Sequence, residues 1–184
     1  MERNLDAVLV EQCAPTLAGI KPASLFCCRS GGREMSRRWA KELAPFGIAV
    51  RVLKHCPKTG ACLIYLYRAG WLRQILAEPA NSAFLRQMGY QTERGCGGLF
   101  EQLSSRLCLE QDFPHEIGVF LGYPLEDVVG FIQKQGKEYT FSGHWKAYGD
   151  PVEAEKRFTR YRQCTAVLKK RFRQGAKIAQ LAAA

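Results

Sequence analysis

No apolar run in this 184-residue chain approaches the roughly 18 residues that a membrane-spanning helix needs. The strongest contender, GACLIYLY, has only the length of a strand. The N-terminal MERNLDAVLVEQ carries acidic residues inside its first apolar stretch, so no secretory signal is expected, and a cytoplasmic location is. Paired cysteines are missing too. Cys13, Cys27, Cys28, Cys56, Cys62, Cys96, Cys108 and Cys164 are scattered without a C-x-x-C pair. The nearest metal-like group is His55, Cys56 and Cys62 in HCPKTGAC. Zinc sites draw paired ligands from two separate knuckles, so no metal is expected there. In apolar runs a reduced cysteine behaves as a small hydrophobe, and these cysteines are read as reduced. There is no G-x-G-x-x-G and no Walker loop, no internal repeat and no low-complexity linker. No cofactor and no catalytic set can be named from the residues.

What is present is an uneven positive charge. The formal net charge is +10, and residues 151–184 hold nine Lys/Arg against two Asp/Glu. Most of the excess therefore sits in one segment and not across a whole face. Length and composition fit one domain able to bury a core without staples.

Residues 3–13 read as an amphipathic helix ended by Pro15. PASLFCC (22–28) reads as a buried strand, and Ser30-Gly31-Gly32 as a turn into a helix with Met35, Trp39 and Leu43 on one face. GIAVRVL (47–53) and ACLIYLYR (61–68) read as a hairpin with a loop of about seven residues. Residues 70–78, 80–89 and 97–109 read as helices. HEIGVFLG is short, apolar and free of internal charge, so 116–121 reads as a buried strand. Gly122 and Pro124 then turn it into a helix opened by Glu126 and Asp127. KEYTFSGHWKA (137–147) suggests a fifth strand. A long basic amphipathic helix follows over about 151–175, with Phe158, Tyr161, Thr165, Leu168, Phe172 and Ala176 on one face. The expected fold is therefore a single-domain α/β layer structure over residues 1–184, with a small mixed sheet of about five strands flanked by helices.

The two βα turns are where such sheets expose ligand-facing loops. In the first, Gly31 and Gly32 let the backbone approach an anion, Ser30 can cap or donate, and Arg33 adds charge. In the second, Tyr123 occupies the turn and Glu126 and Asp127 stand at its rim. Each has a plainer reading: a glycine pair before a helix is most often just a turn, and acidic residues suit a helix N-terminus. If the strands before these turns are parallel neighbours, both turns line one anion-friendly cleft.

His115 and Glu116 look like acid–base groups on paper. An extended 116–121 would hold His115 and Asp127 at opposite ends of a strand ~20 Å long, which excludes a catalytic contact. Trp145 and Lys146 in GHWKAYGD could stack and pair a planar ligand, against the plainer reading of a strand end packed on the last helix. The basic final helix matches a nucleic-acid footprint, but a solvated helix would look the same, and no recognised nucleic-acid motif accompanies it.

The pattern FPHEIGVFLGYPLEDVVGFI, then GHWKAYGD with Ala154, Phe158, Tyr161 and Cys164, resembles the bacterial domain-of-unknown-function family number 3793. The resemblance covers nearly the whole chain. It implies a bacterial intracellular protein of one compact domain, and it transfers no activity. The C-terminal IAQLAAA looks degenerate and departs from the resemblance, so no role for the tail is drawn from it. The reading that results is a non-catalytic or accessory module that binds a small anionic ligand or a protein partner at its βα turns, with no membrane insertion. An enzyme built on the polar cluster and nucleic-acid binding through the final helix rank below it.

Overall fold

In the computed structural model, which describes residues 4–29, 31–109 and 112–182, Asn4 starts the first helix. Its side chain accepts the backbone N–H groups of Asp6 and Ala7 at 3.1 and 3.3 Å, two donors the first turn cannot pair internally. The helix, α1 (Leu5–Leu17), runs past Pro15, which sits in its last turn. Ile20 and Lys21 then donate their N–H groups to the Pro15 carbonyl and close the end.

Strand β1 (Ala23–Cys28) leads to helix α2 (Gly32–Leu43), and β2 (Ile48–His55) and β3 (Cys62–Arg68) form the expected hairpin. The sheet order is β1-β3-β2 with both pairings antiparallel. Alternation puts Phe26, Cys28, Cys62, Ile64, Leu66 and Ile48 on one face. They join Leu9, Cys13 and Leu17 of α1 and Trp39 and Leu43 of α2 in one buried core.

Helices α3 (Ala69–Ala77), α4 (Pro79–Gln87) and α5 (Gly95–Leu109) follow as expected. The segment read as a buried strand does not extend. Ile117–Phe120 is a single helical turn, α6, followed by α7 (Leu125–Gln133). Ile117 and Gly118 donate to the carbonyls of Pro114 and His115 at 3.1 Å each, which winds the chain from its first residue. Close packing holds the turn: a Cβ at Gly118 would stand 2.6 Å from Val128 Cγ2 and 2.9 Å from Trp145 Cζ2.

The 137–147 segment supplies two short antiparallel strands, β4 (Phe141–Ser142) and β5 (Lys146–Ala147). Helices α8 (Pro151–Arg173) and α9 (Ile178–Ala182) end the described chain. The α/β class holds, with five strands divided between a three-stranded and a two-stranded antiparallel sheet. No helix among the described residues is long and apolar enough to cross a membrane.

The chain forms two compact units, Met1–Trp71 with Tyr161–Ala184, and Leu72–Arg160. In the first, the tail read as degenerate is part of the core: Ile178, Leu181 and Ala182 are buried with α1 and α2. In the second, Phe120 meets Tyr90 and Phe100 at ring distances of 5.7 and 6.2 Å.

Candidate ligand cleft

A cleft of about 950 Å³ opens in the first unit between the start of α1, the second half of α2 and the corner joining α8 to α9. Its apolar part is Val10, Phe172 and Ile178. Its polar part is built from two sets of charges. On one side every carboxylate has a cation. Asp6 accepts from the Arg38 guanidinium and, at 2.7 Å, from the Trp39 indole N–H. Arg38 Nε also lies 3.6 Å from Glu42, one helical turn on. Glu11 is paired with Lys169.

On the other side stand Arg173 and Lys177, which form no ion pair among the described residues. Gly175, with φ +96°, turns the chain between them, a left-handed conformation that suits glycine. Among the described residues the lining thus carries three acids, all paired, and four bases, two of them without an ion pair. The lining contains no Ser, Thr, Cys, His or Tyr among the described residues. Such a surface can hold an anion beside an apolar body.

The residues singled out from the sequence lie elsewhere. Ser30 lies outside the described residues. Gly31, at φ +69°, precedes α2 and no side chain caps the helix there. Gly32 is buried because a Cβ there would meet Cys28 Cβ at 2.9 Å, and Arg33 is exposed. These three belong to the first unit, and Tyr123, Glu126 and Asp127 belong to the second. Since 117–120 is helical, the second βα turn does not exist, and with it goes the premise of a cleft between parallel neighbours.

Within the second unit the structure does gather the signature. Tyr123 is buried and stacks on Trp145 at 4.8 Å with 19° between planes, and burial pushes its phenol well above the usual range. Asp127, 1% exposed, accepts the backbone N–H groups of Tyr148 and Gly149 at 2.7 and 3.2 Å. Its second oxygen lies 3.9 Å from Arg157. Glu126 packs where a Gly149 Cβ would be, 2.2 Å from its Oε1.

His115 sits 4.7 Å from the Phe131 ring, so it is near α7 and not at the far end of a strand. Glu116 is buried and takes the Tyr90 hydroxyl and the Arg106 guanidinium, each at 2.9 Å. Lys146 donates to the Gly136 carbonyl at 2.6 Å. Glu116, Asp127 and Lys146 thus each have a fold-holding partner, whereas Trp145 Nε1 and the Tyr148 hydroxyl are buried without a hydrogen-bond partner among the described residues. Among the described residues no group of three or more His, Cys, Asp or Glu is placed to hold a metal.

A family model described as a protein of unknown function, DUF3793, matches residues 9–182. The chain belongs to this family. No curated protein and no solved structure matches it. The match to DUF3793 spans both the buried signature and most of the cleft lining, from Val10 to Ala179.

Proposed function

We propose that this DUF3793 member is a non-catalytic module that binds a small anionic ligand in the cleft bounded by α1, α2 and the α8–α9 corner. The observation that carries the reading is the pair Arg173 and Lys177, two cations without ion-pair partners among the described residues, beside an apolar wall of Val10, Phe172 and Ile178. The cleft volume of about 950 Å³ falls within the range of small-molecule sites. The three lining acids are paired with Arg38 and Lys169, and with Arg173 and Lys177 the lining carries four positive charges against three negative. The βα turns fit the role less well, because Ile117–Phe120 is helical and the second turn does not form, and Arg33 after the first is exposed.

A thermal-shift screen of short- and medium-chain carboxylates and phosphate monoesters tests this. At 100 times Kd a ligand specific for the folded state stabilises it by about 2.7 kcal/mol, a shift of several degrees. Amphipathic anions are expected to give it, and the neutral alcohols of matching chain length are not. Equal shifts with the alcohols would show that the cations take no part.

A further inference from the structure

Three strands end together in one row of the sheet. β1 ends at Cys28, β3 begins at Cys62 and β2 ends at His55, and Cys62 is the register partner of both others. Directly opposite residues carry their side chains on the same face, with Cβ atoms about 4.5–5.5 Å apart. Arg68 donates its N–H to Pro22, which marks 22 and 68 as a hydrogen-bonded pair. Steps of two residues carry that pattern to 28 and 62, where the Cα separation is about 5.5 Å. A disulfide spans about 4.4–6.8 Å between Cα atoms.

Gly32 shows how closely the two side chains converge. An atom at its Cβ position would lie 2.9 Å from Cys28 Cβ, 3.1 Å from Cys28 Sγ and 3.2 Å from Cys62 Cβ. No other two cysteines of the eight are register partners, and Cys27, the exposed neighbour of Cys28, pairs with Leu63.

We propose that Cys28 and Cys62 form an oxidisable dithiol, with His55 as the base that deprotonates Cys62, and that its oxidant is a peroxide. His55 takes the Cys62 proton, and the Cys62 thiolate attacks one peroxide oxygen. The O–O bond breaks, an S–O bond forms, and the leaving hydroxide takes a proton to become water. Cys28 sulfur then attacks Cys62 sulfur. The S–O bond breaks, the S–S bond forms, and hydroxide leaves as water with the Cys28 proton. The two thiols lose two electrons and the peroxide is reduced to two waters.

Both thiols are buried, at 2% and 1% exposure, and burial holds Cys62 above the ordinary thiol range while Arg33 pulls it down. The reaction therefore waits on opening of the strand ends, which fray more readily than a sheet interior. His55, the register partner of Cys62 at the end of β2, is exposed to solvent. The product would tie the start of β3 to the strand that feeds α2, the helix carrying Arg38 and Glu42 of the cleft.

The test is peptide mapping of the full chain after hydrogen peroxide treatment, without reductant. The expected product is a link between the tryptic peptides that hold Cys28 and Cys62, cleaved by dithiothreitol. It should form in Cys27→Ser and be lost in Cys28→Ser and in Cys62→Ser. His55→Gln should slow its formation at least about tenfold, the lower reach of a lost general base. Peroxide that oxidises exposed Cys27 and Cys108 yet leaves no Cys28–Cys62 link would overturn the proposal. A link that forms as fast in His55→Gln would remove the imidazole from the step.

Discussion

The Asp127 carboxylate accepts the backbone N–H of Tyr148 at 2.7 Å, across 21 residues of chain, and so ties the start of α7 to the strand end at 146–149. This is a different job from satisfying a helix dipole. The carboxylate is 1% exposed and holds a second N–H, that of Gly149, while Arg157 stands near its other oxygen.

Replacing Asp127 with Ala leaves two backbone donors and part of a guanidinium without their acceptor. A loss of about 3–5 kcal/mol is expected, the cost of breaking a buried charge-assisted set. Asp127→Asn keeps one acceptor oxygen and should cost less. Urea unfolding followed by tryptophan fluorescence measures both, with Trp145 close to the altered contact. Equal and small losses would return Asp127 to a surface role.

Ile178 and Leu181 test the tail. Both are buried against α1 and α2, at 3% and 0% exposure. Removing residues 176–184 should destabilise the first unit by about 3–6 kcal/mol, from roughly 1.5–3 kcal/mol for each of the two buried aliphatic side chains. Leu181→Ala alone should cost about 2–5 kcal/mol. Denaturant titration of the two variants decides whether the tail is core or appendage. A change under about 0.5 kcal/mol in both would make it an appendage.

Lys21 gives a pH signature. Burial lowers it from 10.5 to about 8, with its Nζ 5.8 Å from the Tyr161 ring. Between those values the unfolded chain binds more protons than the folded one, so stability rises with pH. Cys13 works the other way. Burial raises it from 9.0 to about 12, the folded state holds the extra proton, and stability falls from pH 9 upward. The two effects oppose each other above pH 9, leaving the lysine's gain, about 1 kcal/mol, between pH 8 and 9. Unfolding free energies at pH 7, 8 and 9, compared with those of Lys21→Met, isolate it. A variant that keeps the full rise would exclude the lysine as its source.

Much of the fold was legible because its periods are clean. Trp39 and Leu43 lie at helical spacing and are fully buried, and the alternation in ACLIYLYR became the central strand. HEIGVFLG was not legible for a physical reason. All four residues of α6 are buried, so the segment shows neither a two-residue nor a 3.6-residue alternation, and a short all-apolar run fits a strand or a buried turn of helix equally. What decides it is Gly118, which must lie flat against Val128 and Trp145, a contact made with residues ten and 27 positions away.

The candidate cleft was harder still. The basic stretch that supplies Lys169, Arg173 and Lys177 was visible. That Lys169 is paired with Glu11 depends on the approach of α1, which no local pattern records. Asp6 and Arg38, 32 positions apart, meet for the same reason.

The most direct measurement is native mass spectrometry of the full chain, purified gently beside its Arg173→Ala/Lys177→Ala double variant. The cleft account predicts that the wild-type protein carries, or takes up from the anion panel, a small acidic molecule at one per chain, and that the double variant loses it while its circular dichroism is unchanged. Equal loading of the two proteins, or no loading of either across the panel, would contradict it.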